Sequence, residues 1–193
     1  MLLILIAALL QQPAKPDAER EIQRIALEGW TAARAIAVRG GAVELLGPVN
    51  IRLRELDTFP NLSARYAEIA IRAAVSAAQE ERDELGLLLE HARDLSAQMG
   101  AGAGKPAEWP VPIDELEGEL WLEVDRFTEA REAFQRATRT RPTPNAWIGL
   151  ARAADRLGDR VTACQSYAAV EGTKNLPTSI SLEISLYSLK CKF

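Results

Sequence analysis

The stretch Arg126–Trp147, RFTEAREAFQRATRTRPTPNAW, places Ala130, Phe134 and Ala137 at steps of four and three and then breaks on Pro142 and Pro144. Such steps trace one face of an α-helix, so the alanines and the phenylalanine share a stripe. Alanine there has a physical use. Two helices approach to the usual interaxial distance of about 8–10 Å only where the side chains at the crossing are small, and an aromatic ring can then fill the gap beside them. Pro142 cannot continue a helix interior, and Pro144 biases Thr143 away from helical angles. The segment therefore reads as one helix, a stop, and the start of another.

The same order of features occurs on either side. Upstream, Gly118 and Trp121 set a small residue and an aromatic on a preceding helix. Downstream, Trp147, Leu150, Ala151 and Ala154 mark the next helix, Gly158 and Asp159 make a turn, and Ala163 and Tyr167 restore the alanine and aromatic pair. Ala130 and Ala163 stand 33 residues apart.

Together these residues resemble the tetratricopeptide repeat family, whose hairpins follow W-x2-L-G-x2-Y and then A-x3-F-x2-A-x4-P, with alanine here at the glycine and tyrosine positions. The match covers Val111 to Gly172, roughly a third of the chain. The resemblance implies antiparallel helical hairpins stacked as an α-solenoid, and a non-enzymatic scaffold that binds a protein or peptide on its concave side. It places Glu115, Glu119 and Glu123 of the first hairpin on that side, with Asn145, Ile148, Arg152 and Arg156 of the second. The opposed acidic and basic rows either pair with each other and with water or orient an incoming peptide. The asparagine and lysine set by which some family members hold a C-terminal carboxylate is not matched. Three repeats are normally needed for a continuous core, so the preceding helices are expected to be degenerate repeats or a cap.

Composition agrees with an all-α fold. The 193 residues are 48% apolar and 26% charged, with only 6% aromatic residues and few runs of β-branched residues. A net charge of −4 weighs against nucleic acid or anionic lipid as a general partner. Residues 1–10, MLLILIAALL, are uncharged and precede QQPAKP, so residues 1–14 resemble a short bacterial secretory signal without a basic start. They are too few for a membrane span, which needs about 20 apolar residues. The expectation is export to the periplasm or beyond, or a cytoplasmic protein if the segment is not a signal.

Residues 15–98 read as an N-terminal helical block. Its stripes are Ile22, Ile25, Gly29, Ala32 and Ile36; then Val43 to Leu56, a helix broken by Gly47 and Pro48; then Leu62, Tyr66, Ile69 and Ala73; and last Leu85, Leu88, Leu89, Ala92 and Leu95. Gly40 and Gly41 end the first. The acidic run Glu80 to Glu84 reads as a solvated turn. Residues 99–112 form a Gly/Ala/Pro-rich linker, in which Gly104 and Lys105 imitate the end of a phosphate loop but lack its first glycine and its hydroxyl. Residues 113–193 then hold the hairpins and a terminal capping helix. That last helix has two apolar stripes, Ile180, Ile184, Tyr187 and Cys191 against Leu182, Leu186, Leu189 and Phe193, which predicts burial on two sides or a surface for self-association.

No catalytic, cofactor or metal site is expected. His91 is the single histidine, with no nucleophile assignable to it. Cys164 and Cys191 are too few for a disulfide framework or a zinc site. If the terminal helix folds back on the helix that carries Cys164, helical rise leaves the two at axial offsets differing by roughly 8 Å, which predicts two buried thiols in preference to a bridge.

Overall fold

A computed structural model of the chain describes residues 16–39, 43–100, 108–174 and 176–191. The signal-like segment, Gly40 and Gly41, the Gly104–Lys105 pair and Phe193 lie outside the described residues. Among the described residues there are nine α-helices, one 3-10 turn and no strand. They fall into two compact units, Met1–Ile113 and Asp114–Phe193.

The first unit comprises α1 (Pro16–Val38), the 3-10 turn Val43–Leu45, α2 (Leu46–Leu56), α3 (Leu62–Ala78) and α4 (Arg82–Met99). α3 is central: α1 and α2 pack on it, and so does α4. Its buried face is correspondingly wide, with Tyr66, Ala67, Ala70, Ile71, Ala74 and Ala77 all out of solvent. Ile22, Ile25, Ala26, Ala33 and Ile36 meet it from α1, and Leu85, Leu89, Ala92, Leu95 and Met99 complete the core from α4. Gly29 lets α1 approach its neighbours closely: a Cβ there would lie 2.5 Å from Ile71 Cδ1 and 3.2 Å from Arg52 Cβ. The buried Tyr66 hydroxyl donates to the Val111 carbonyl at 2.7 Å, and Ser96 donates to Glu108, so the segment after α4 is tied back onto this unit.

Two expectations are corrected here. Gly47 and Pro48 do not break a helix; they lie in the first turn of α2, which runs on to Leu56. The first turn has no partner for its backbone N–H groups, so proline fits there without losing a hydrogen bond. The apolar stripes are also shifted by a residue in places: Ala33 is fully buried where Ala32 is half-buried, and Ile69 and Leu88 are only half-buried. The acidic run is exposed, with Asp83 and Glu84 in the first turn of α4, where the helix dipole favours negative charge.

The second unit comprises α5 (Ile113–Glu123), α6 (Phe127–Thr140), α7 (Pro144–Arg156), α8 (Arg160–Ala168) and α9 (Thr178–Lys190). Starts and stops follow from the side chains. Thr143 caps α7 by accepting from Ala146 N–H at 3.0 Å, with Pro144 in the first turn. Asp159 likewise caps α8 through Thr162 N–H at 3.1 Å. Ala130 and Ala163 are fully buried, as the close-approach argument requires. Phe134 is 1% exposed. A Cβ on Gly118 of α5 would come within 2.7 Å of its ring, and one on Gly149 of α7 would overlap it. The ring thus fills a slot between glycines of successive hairpins.

Three hairpins share one turn. Glu81 N–H donates to Ser76 C=O, Arg126 N–H to Trp121 C=O and Asp159 N–H to Ala154 C=O, each at 2.9 Å. The residue before each donor is left-handed, with φ of 60° at Glu80, 62° at Asp125 and 76° at Gly158. These are Schellman-type closures, and only Gly158 adopts its angle without a Cβ penalty.

The terminal segment is helical, and two further expectations change with it. Ile184 and Tyr187 are buried, with the Tyr187 ring 4.5 Å from that of Tyr167, but Leu182, Leu186 and Leu189 are 58%, 54% and 60% exposed. One face alone is buried, because α8 and α7 meet α9 from the Ile184 side. Cys164 and Cys191 form a disulfide, with Cα atoms 5.7 Å apart. α8 stops at Ala168 and α9 starts only at Thr178, and the intervening connection takes up the axial offset that a tight loop would have left.

Candidate functional site

α7 and α9 run along a groove of about 520 Å³ in the second unit. Helical spacing turns Arg152, Asp155 and Arg156 of α7 toward it, and Leu182, Glu183 and Leu186 of α9 face it from the other side. Leu122 of α5 and Phe127 of α6 close one end. The lining mixes apolar Leu122, Phe127, Leu182 and Leu186 with charged Arg152, Asp155, Arg156, Glu183 and Lys190.

The two walls are joined by a polar network. Arg152 donates to both oxygens of Glu183, at 2.8 and 2.6 Å, a bidentate geometry suited to the guanidinium fork. Tyr167 donates to the same carboxylate at 2.7 Å, and Tyr187 donates to Asp155. The Arg152 hydrogen bonds hold the Glu183 carboxyl below the usual range despite its desolvation. Burial, and then the bond to Asp155, push the Tyr187 phenol up to about 12; burial also raises Tyr167, followed by its bond to Glu183. Both phenols remain hydrogen-bond donors at neutral pH. Arg156 is exposed, 3.1 Å from Asp125 and 4.5 Å over the Phe127 ring; Lys190 lies 5.3 Å over Tyr187.

A pH dependence follows. Because the folded pKa of Glu183 is depressed, its contribution is present above the ordinary value of 4.5 and is lost as pH falls through the lowered one. Glu115, raised by desolvation, contributes with the opposite sign and is common to both proteins in a comparison with Glu183→Gln. The expected result in thermal melts from about pH 7 to about pH 3 is a shallower acid loss for the variant. Parallel curves would show that the Arg152–Glu183 pair contributes nothing.

The residues expected on the concave side separate into two groups. Arg152 and Arg156 line the groove. Asn145 is exposed in the first turn of α7, and Glu119 and Glu123 are half-buried on α5. Glu115 is 5% exposed and accepts from Thr143 Oγ1 at 2.9 Å, so it supports the hydroxyl that caps α7. Ile148 is 4% exposed and packs with Tyr167, Ile184 and Tyr187 in the core. Arg152 takes Glu183 and also feels the charge of Glu119, and Arg156 takes Asp125. The α9 wall was not legible as a site, although the exposed Leu182–Leu186–Leu189 stripe was visible as periodicity.

Among the described residues no group of His, Cys, Asp and Glu is placed to hold a metal, and no helix is long and apolar enough to cross a membrane. No known protein family, curated protein or solved structure matches the chain.

Proposed function

We propose that the second unit is a docking module of tetratricopeptide type, a non-enzymatic scaffold that receives a protein or peptide segment in the groove between α7 and α9. The observation that carries this is the pair of leucines one turn apart, Leu182 and Leu186, more than half exposed on the α9 wall of the groove that Arg156 of α7 also lines. Exposed leucines on an ordered helix, flanked by charges at a concave edge, are the chemistry of an anchor site. The repeated small-residue crossings and shared turns support a rigid frame behind it. The Cys164–Cys191 disulfide supports the export expectation, since such bonds persist in oxidising compartments. Peptides selected from a random library against the whole chain are expected to lose about tenfold or more in affinity on Leu182→Asp/Leu186→Asp. Unchanged binding to that variant, shown to be folded by circular dichroism, would place the site elsewhere.

A second reading is favoured by Leu189, 60% exposed on the same stripe: the α9 face joins copies of the chain end to end. Sedimentation of the purified protein tests it, with a monomer across the accessible concentration range as the outcome against it.

A further inference from the structure

We infer that the groove selects an acidic, leucine-rich segment: a peptide with apolar side chains one helical turn apart and carboxylates beside them. The inference rests on the docking reading above and adds the sign of the ligand. A second cavity shares Asp155, Tyr187 and Lys190 with the groove and adds Gly158, Arg160 and Leu189. The two cavities together present Arg152, Arg156, Arg160 and Lys190 against Asp155 and Glu183.

The count matters less than which groups are already engaged. Glu183 accepts three hydrogen bonds, from Arg152 twice and from Tyr167, and Asp155 accepts from Tyr187. A ligand cation would therefore meet a Glu183 whose hydrogen-bonding capacity is largely taken, and an exposed Asp155 that accepts a single bond. The cations are differently placed. Arg152 is committed to Glu183, but Arg156 has five N–H donors and a single ion pair, to Asp125, in which the side chains are 59% and 62% exposed. Such a pair is worth under about 1 kcal/mol and exchanges easily. Arg160 is exposed and donates to the Lys190 carbonyl, while the Lys190 ammonium sits over the Tyr187 ring. Arg156, Arg160 and Lys190 thus form a cationic edge that an incoming carboxylate can use without displacing a buried bond.

Leu182 and Leu186 supply the apolar half, with Phe127 and Leu122 at the end of the groove. The net charge of the chain is −4, so long-range attraction alone favours a basic ligand. Preference for an acidic one would have to arise locally, in this groove.

The experiment uses the full chain and two fluorescein-labelled peptides with leucines at i, i+4 and i+7, one with glutamate and one with lysine at the remaining positions. Fluorescence anisotropy is expected to show the glutamate peptide bound about tenfold more tightly than the lysine peptide. The difference should shrink as salt rises from about 50 to about 300 mM. Arg156→Glu/Lys190→Glu should reverse the order, and Leu182→Ser/Leu186→Ser should weaken both peptides. Equal binding of the two peptides, or tighter binding of the lysine peptide, overturns the inference and leaves the docking reading standing. Binding of neither by the folded protein overturns both. A concentration-dependent dimer abolished by Leu182→Ser/Leu186→Ser also overturns the inference, because the apolar wall then belongs to a second copy.

Discussion

Replacing Phe134 with alanine is expected to lower the stability of the second unit by about 3–5 kcal/mol, the usual cost of removing a fully buried phenylalanine. The ring is 1% exposed, joins Ala130, Leu150 and Ala153 in one cluster and has Trp121, Leu122 and Trp147 packed around it. It also lies against Gly118 and Gly149, where a methyl group would collide with it. The site is therefore full from two sides, and a second effect of opposite origin follows. Gly149→Ala alone is expected to cost about 1–3 kcal/mol through overpacking. In a Phe134→Leu background, where the ring is gone, the same glycine change should cost less. Urea denaturation of the four proteins in this cycle and of Phe134→Ala, followed by circular dichroism and by tryptophan fluorescence, measures the coupling and the loss. Additive changes, or a loss below about 1 kcal/mol for Phe134→Ala, would mean that the ring does not hold the hairpins together.

That slot shows why the fold was largely legible. Ala130, Phe134 and Ala163 act through size and period, which are properties of the sequence itself. The turns were less visible. Gly158 announces its left-handed angle, but Glu80 and Asp125 adopt nearly the same φ with side chains that give no such signal. There the geometry is imposed by the two helices it joins. The groove was legible on α7 and hidden on α9 for a similar reason. Arg152 and Arg156 do line it, yet Ile148, read on the same side, is covered because Tyr167, Ile184 and Tyr187 close over it. On α9 two stripes are equally apolar, and only the position of its neighbours decides that Ile184 is buried and Leu182 exposed. Burial of this kind is a tertiary property, one that a helical period leaves open.

Removing the disulfide is expected to have the other large effect, because it closes a loop over a sequence separation of 27 residues that contains the whole of α9. Chain entropy for a loop of that length corresponds to about 3–4 kcal/mol. In a unit of this size that is roughly 12–30 °C in melting temperature. The other attachments of α9 are Ile184 and Tyr187 in the core with Ile180 packed against them, the Arg152–Glu183 pair, and the hydrogen bonds Tyr167–Glu183, Tyr187–Asp155 and Arg160 to the Lys190 carbonyl. Cys164→Ser/Cys191→Ser should therefore melt lower than the parent and be cut sooner by trypsin after Lys174, in the connection to α9. Peptide binding in the groove should weaken with it, since α9 forms one wall. Dithiothreitol should reproduce all three effects in the parent by reducing the S–S bond to two thiols, its own pair being oxidised to a cyclic disulfide. It should do nothing to the serine variant, and a shift that persists there would place its action outside this bond. Equal melting of parent and variant would show that α9 is held by packing alone.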